Sequence, residues 1–131
     1  MMVSTKGRYA LKIMAYLATH QEEGPVSLKD IADEEGVGIK YLEIIISSLN
    51  KGGLLKSARG KNGGYSLNKS PKEYTIAEIL NIAEGSLAPV ACVGGQDPCE
   101  NACNCKTHLL WKELDDVIEE FLLSKTLADI I

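Results

Sequence analysis

Large aromatic rings are scarce in this chain: one Phe, one Trp and five Tyr among 131 residues. With 45% of residues hydrophobic, a core can still form, but it must be aliphatic. No stretch approaches the roughly 18 apolar residues that a membrane span needs. The first residues, MMVSTKGRYALK, contain no uninterrupted apolar run of the signal-peptide kind. Together these absences lead us to expect a cytoplasmic protein with no membrane partner, in a compartment where thiols stay reduced. Neither a glycine-rich nucleotide-binding motif nor a nucleophile–base constellation is found, so an enzyme is not expected. The length suits one domain, or a small domain with an arm.

Basic residues are outnumbered overall, giving a net charge of −4, but they are unevenly placed. Residues 1–70 carry 10 Lys/Arg against 7 Asp/Glu, and residues 71–131 carry 4 against 11. A basic front half and an acidic rear half imply that one end faces a polyanion.

Hydrophobic spacing divides the front half into helices. Ser4 can cap a first helix of about 16 residues that buries Ala10, Ile13, Met14 and Leu17. After the EEGP break at 22–25, Ser27 and Asp30 form a variant capping box, with Val26 and Ile31 as a hydrophobic staple. That second helix ends near Glu35, and Gly36 suits the left-handed position beyond it. A third helix, IKYLEIIISSLNK, places Leu42, Ile45, Ile46 and Leu49 on one face. Its other face carries Lys40, Glu43, Ile44 and Ser47, with Tyr41 on the flank. A short helix, a glycine turn and a second amphipathic helix make a helix-turn-helix, whose second helix enters the major groove.

Gly52-Gly53 ends the third helix, and LLKSA (54–58) and YSLNK (65–69) read as a β-hairpin. Its tip, Arg59-Gly60-Lys61-Asn62-Gly63-Gly64, is basic and flexible. Such an Arg reaches into a narrow minor groove, where the potential is most negative. Lys61 and Asn62 suit the DNA backbone or base edges, and Gly60 lets the chain approach phosphates. On the third helix, Glu43 can accept from cytosine N4, while Lys40 and Tyr41 can position phosphates. Ile44 stands out on a polar face: it either touches a thymine methyl or packs on a neighbouring element. Lys40 and Glu43 taken alone are more often merely solvated.

Thr75 and Glu78 make a further capping box, starting a helix that buries Ile76, Ile79, Leu80 and Ala83 and stops at Gly85. A last long helix begins near Lys106. Leu110, Leu114, Val117 and Phe121 form its stripe, widened by Ile118 and Leu122. That seam is broader than a lone helix needs and is expected to be a dimer contact. The fold class is mainly α with a small β-hairpin: a winged helix-turn-helix DNA-binding domain (1–85), a cysteine-rich segment (86–105), and a dimerisation helix with C-terminal segment (106–131).

All four cysteines fall in CVGGQDPCENACNCKTH, from Cys92 to His108. A disulfide staple suits a reducing compartment poorly. Zinc sites usually show paired short spacings, and only Cys99–Cys103 and Cys105–His108 come near that form. An iron–sulfur cluster is larger, spreads its thiolate ligands more widely and accepts His in place of Cys. Five such side chains within 17 positions point to a metal site.

The chain resembles the iron–sulfur cluster regulator (IscR) family, the Rrf-two group of winged-helix transcription factors. The matching pieces are STKGRYAL (4–11), GPVSLKDIA (24–32), KYLE (40–43), GGLLKSARGKNGGY (52–65), CKTHLLW (105–111) and TLAD (126–129). They span nearly the whole chain in order. The resemblance implies a homodimer, joined by the long C-terminal helices, that binds a palindromic double-stranded DNA operator as a repressor. It also implies a 2Fe-2S cluster held by Cys92, Cys99, Cys105 and His108, whose state sets DNA affinity or operator choice. Cys103 is an extra thiol and an alternative ligand. The rival within the same fold is a cluster-free sensor of thiols, zinc or cysteine supply.

Overall fold

A computed structural model describes residues 3–93 and 105–131. Helix α1 (Thr5–His20) is followed by a single 3-10 turn, then α2 (Leu28–Glu35) and α3 (Ile39–Lys51). Strands β1 (Leu55–Ala58) and β2 (Gly64–Leu67) come next, then α4 (Ile76–Glu84), α5 (His108–Ser124) and a closing 3-10 turn, Leu127–Ile130. The expected mainly helical winged fold is what the chain adopts. Among the described residues no helix is long and apolar enough to cross a membrane.

The helix ends follow the local chemistry closely. Ser27 Oγ accepts from the Asp30 N–H at 3.1 Å, and Gly36 closes α2 at φ 65°. That left-handed residue costs a side-chain-bearing amino acid energy but costs glycine little. Thr75 Oγ1 likewise accepts from the Glu78 N–H at 3.0 Å. The return half of this expected box is diverted: the Glu78 carboxylate faces Lys69 Nζ at 3.4 Å, because a cation within reach competes with the helix end.

The core is aliphatic. Ala10, Ile13, Met14 and Leu17 of α1 are buried, as are Leu42, Ile45, Ile46 and Leu49 of α3 and Ile76, Ile79, Leu80 and Ala83 of α4. Helix α1 lies at the centre and packs against α2, α3, α4 and β2. The hairpin is antiparallel, with Leu55 opposite Leu67 and Ala58 opposite Gly64. It is also clamped to the α1–α2 connection, since Val26 and Tyr65 exchange two backbone hydrogen bonds of 2.8 Å. A Cβ at Gly64 would collide with the Val26 carbonyl, so only glycine allows this approach.

Tyr74 is the one aromatic ring fully enclosed in this core. Its hydroxyl accepts from the N–H of Asn68 (2.9 Å) and of Lys69 (3.2 Å). Its own proton is shared between two acceptors, the Leu54 carbonyl and Asn68 Oδ1, each 2.8 Å away. Burial pushes the phenol pKa up, and the two backbone donors partly offset that. One side chain thus holds both feet of the hairpin. The same segment receives the C-terminus: Ile76 N–H donates to Lys125 O at 2.8 Å, Leu127 N–H to Tyr74 O at 2.9 Å, and Leu127 is fully buried.

Helix α5 differs from the others, since none of its residues is buried. It begins at His108, two residues later than the stripe suggested. Leu110, Leu114, Val117 and Phe121 face solvent, 40–62% exposed. Ile118 and Leu122 do not widen that stripe. They turn toward α4 and line a cleft of about 210 Å³ with Ala77, Asn81 and Asp115.

Tyr74→Phe removes a hydroxyl that satisfies two backbone donors and one carbonyl. We expect a loss of about 1–3 kcal/mol in urea unfolding, with the helical circular-dichroism spectrum retained below the transition.

Candidate nucleic-acid interface and cysteine–histidine site

Helix α3 presents two chemically distinct faces. Leu42, Ile45, Ile46 and Leu49 seal the core, which fixes the helix about its own axis. The remaining arc then has to point outward, and Lys40, Tyr41, Glu43, Ile44 and Ser47 are all exposed. Ile44 is 58% exposed and packs on no neighbouring element of the core, which leaves the first of its two expected roles open. Exposing this apolar side chain is unfavourable in water, and a thymine methyl is one surface that would cover it. Ile39, at the start of the helix, is also exposed, and the periodicity did not single it out.

The wing tip stands clear of the body. Arg59, Gly60, Lys61 and Asn62 are exposed, and the turn is closed by Gly63 N–H donating to Gly60 O at 3.0 Å. Gly60 takes φ 103°, a backbone state that favours glycine. Neither Arg59 nor Lys61 is ion-paired; among the described residues the ion pairs are Lys69–Glu78 and Lys112–Asp116. Two cations are therefore held at the end of the hairpin with no carboxylate neutralising them. Such a finger suits a groove of negative potential.

Of the expected metal ligands, the structure describes Cys92, Cys105 and His108; Cys99 and Cys103 lie outside the described residues. Cys92 is half-buried and Cys105 exposed, and neither is in a disulfide. The Cys105 thiol lies 3.2 Å from Thr107 Oγ1, and that hydrogen bond, with help from the Thr107 backbone, lowers its pKa. His108 occupies the first turn of α5, and its N–H donates to Cys105 O at 3.3 Å. Its ring Nδ1 is buried with no hydrogen-bond partner. A buried ring nitrogen left this way is costly, and a bound metal or an additional donor is the usual remedy. Among the described residues, no three His, Cys, Asp or Glu side chains gather as a metal-binding group. The donors that are present, two thiols and an imidazole, have the chemistry an iron–sulfur cluster needs.

Comparison with known proteins agrees with this architecture. The model of the Rrf2 family, described as an iron-dependent transcriptional regulator, matches residues 3–131. The HTH-type transcriptional regulator IscR of Photorhabdus laumondii is 40% identical over 131 residues, covering all of this chain and 79% of that protein. The IscR of Pectobacterium carotovorum is 39% identical over the same span and shares. Among solved structures, CymR, the global cysteine regulator of B. subtilis, superposes with a TM-score of 0.82 at 39% identity, covering 99% of this chain and 95% of that one. IscR of T. potens gives a TM-score of 0.79 at 41% identity, covering 99% and 85%.

The two faces of α3 should respond oppositely to the same change. Ile44→Ser is expected to leave unfolding stability within about 0.5 kcal/mol, while Ile45→Ser, one residue on, costs about 3 kcal/mol or more in urea denaturation.

Proposed function

Since the chain belongs to the Rrf2 family of iron-dependent transcriptional regulators, we propose that it is a cytoplasmic, homodimeric repressor whose grip on a palindromic operator is set by a 2Fe-2S cluster. Residues 1–85 form the DNA-binding unit, residues 86–105 the cluster segment, and residues 106–131 the dimerisation element. Lys40, Tyr41, Glu43, Ile44 and Ser47 read or flank the major groove. Arg59, Gly60, Lys61 and Asn62 engage the minor groove and its phosphates. With two copies related by a twofold axis, the paired α3 helices would reach half-sites about 34 Å apart. The open apolar row Leu110, Leu114, Val117 and Phe121 is the surface that dimerisation would cover.

Cys92, Cys99, Cys105 and His108 would hold the cluster, with Cys103 as an alternative ligand. The observation that carries this is the buried, unpartnered Nδ1 of His108, one turn from Cys105. When bound, the cluster supplies iron centres that can be lost or oxidised, and so a chemical signal. The chain's own part is to hold the His108 imidazole, beside the Cys105 thiol, at the head of the dimerisation helix.

A second reading has its own support. The likeness to CymR, a cysteine regulator, covers nearly the whole chain, and a further CymR, from Staphylococcus aureus, solved in its oxidized form, gives a TM-score of 0.76 at 33% identity. On that reading the thiols themselves sense, and no cluster is bound.

Purified anaerobically, the chain is expected to be coloured and to carry iron and acid-labile sulfide in equal amounts, with both falling sharply in His108→Ala. A colourless chain with stoichiometric zinc, or with no metal, overturns the cluster in favour of the thiol sensor. Arg59→Ala is expected to weaken binding to the operator by about 1–3 kcal/mol and to relax base preference at the minor-groove positions, measured by fluorescence anisotropy. Unchanged affinity would remove the wing from the interface.

A further inference from the structure

Helix α1 carries a second basic surface that continues directly from the exposed face of α3. Its sequence, TKGRYALKIMAYLATH, contains Lys6, Arg8 and Lys12 and no acidic residue, in a chain whose net charge is −4. Arg8 and Lys12 are four apart and share one side of the helix with Thr5 and Tyr9, around a shallow recess. Both are exposed, and none of the three cations is ion-paired to a carboxylate among the described residues.

Two contacts lock this surface to α3. Lys6 Nζ donates to Ser48 Oγ at 3.1 Å, and Ser48 Oγ donates in turn to Ile44 O at 3.2 Å. Two turns back along α3, the Tyr9 ring stands edge-on to Tyr41, with centroids 6.2 Å apart and planes at 86°. Lys12 Nζ lies 5.3 Å over the other side of this pair, on the Tyr9 ring. The nearby acid at the start of α1, Glu84, is already engaged: its Oε1 accepts from Ser4 N–H at 2.8 Å and from Ser4 Oγ at 2.7 Å. Gly7 makes room for that carboxylate, since a Cβ there would collide with it.

We propose that Arg8, Tyr9 and Lys12 form a phosphate-binding flank, which grips the DNA backbone beside the groove that α3 enters, while Lys6 helps fix α1 against α3. The proposal rests on the reading of the chain as a DNA-binding regulator and adds a third element to its footprint. Two exposed cations with no carboxylate partner, Arg8 and Lys12, on a helix packed against a groove-reading helix are placed where a groove's phosphate wall would run. Such contacts set register and affinity and carry no base information. The Tyr9–Tyr41 and Lys6–Ser48 contacts make the spacing between flank and reading face fixed, so both must fit the duplex at once. An acidic protein surface is the other occupant that positive charge allows; continuity with Tyr41 and Ser48 favours DNA.

The probes are two duplexes of equal length: the tightest one recovered from a randomised pool with the wild-type chain, and a scrambled version. Arg8→Gln and Lys12→Gln leave the α3 contacts of Lys6 and Tyr9 in place, and their melting temperatures should match the wild type. Each is expected to weaken both duplexes by the same factor, roughly three- to tenfold, and to lower the slope of log affinity against log salt by about 0.9 per lost phosphate contact. An Arg8→Gln/Lys12→Gln double variant with wild-type affinity and slope overturns the flank. So does a loss confined to the selected duplex, which would mean base reading. In both cases a changed base preference in Glu43→Ala leaves the DNA-binding reading standing. If the wild-type chain recovers no duplex from the pool, that reading falls and the flank falls with it.

Discussion

Everything in this molecule hangs on the aliphatic seam of α1. Ala10, Ile13, Met14 and Leu17 are buried to within 1% of full enclosure, and they meet α3 on one side and α4 on the other. With one Phe and one Trp in the whole chain and Tyr74 the one ring fully enclosed, aliphatic side chains at helical spacing fill most of the core. Close packing of that kind tolerates little rotation of either neighbour. Once Leu42, Ile45, Ile46 and Leu49 are seated, the outward direction of Lys40, Glu43, Ile44 and Ser47 is no longer free. The exposed chemistry of α3 is therefore a consequence of core packing.

The same seam brings distant parts of the chain within reach of one another. Helix α4 packs on α1 and ends at Glu84, whose carboxylate caps the start of α1, only eight residues before Cys92. Beyond the cysteine segment, α5 returns along α4, and the C-terminal Leu127 is buried beside Tyr74, whose hydroxyl holds the hairpin. The hairpin, α3 and both flanks of the Cys92–His108 segment are thus tied to one small core.

Much of this was legible from local chemistry. The bounds of α3 follow from its periodicity and the glycines on either side, and the ends of α2 from Ser27 and Gly36, because caps and apolar spacing are short-range signals. Most of the features that escaped are long-range. Nothing local marks Tyr74 as the anchor of the hairpin, since its partners are Leu54, Asn68 and Lys69, brought together only by folding. The Val26–Tyr65 clamp is likewise a pairing across 39 residues. Glu73 and Asp129 reach back to the N–H groups of Ser70 and Thr126, each 2.8 Å away, yet these caps start single turns with no apolar stripe behind them. Of the candidate site residues, Ile44 was visible as an apolar side chain on a polar face, and the wing as a basic glycine-rich turn. The coupling of Lys6 and Tyr9 to α3 was not, because helical spacing says which face a residue occupies and not which neighbour it meets. Cys99 and Cys103 lie outside the described residues, so the four-ligand set rests on the family resemblance.

The central claim is that the outward face of α3 is the surface that meets DNA while its inward face never leaves the core. Hydroxyl-radical labelling of side chains, read by mass spectrometry on the free and the duplex-bound chain, tests this within a single helix. The account predicts that Tyr41 and Ile44 are labelled in the free chain and protected in the complex, while Leu42 and Ile46 stay unlabelled in both. Bound duplex with Tyr41 and Ile44 labelled as strongly as before would contradict it.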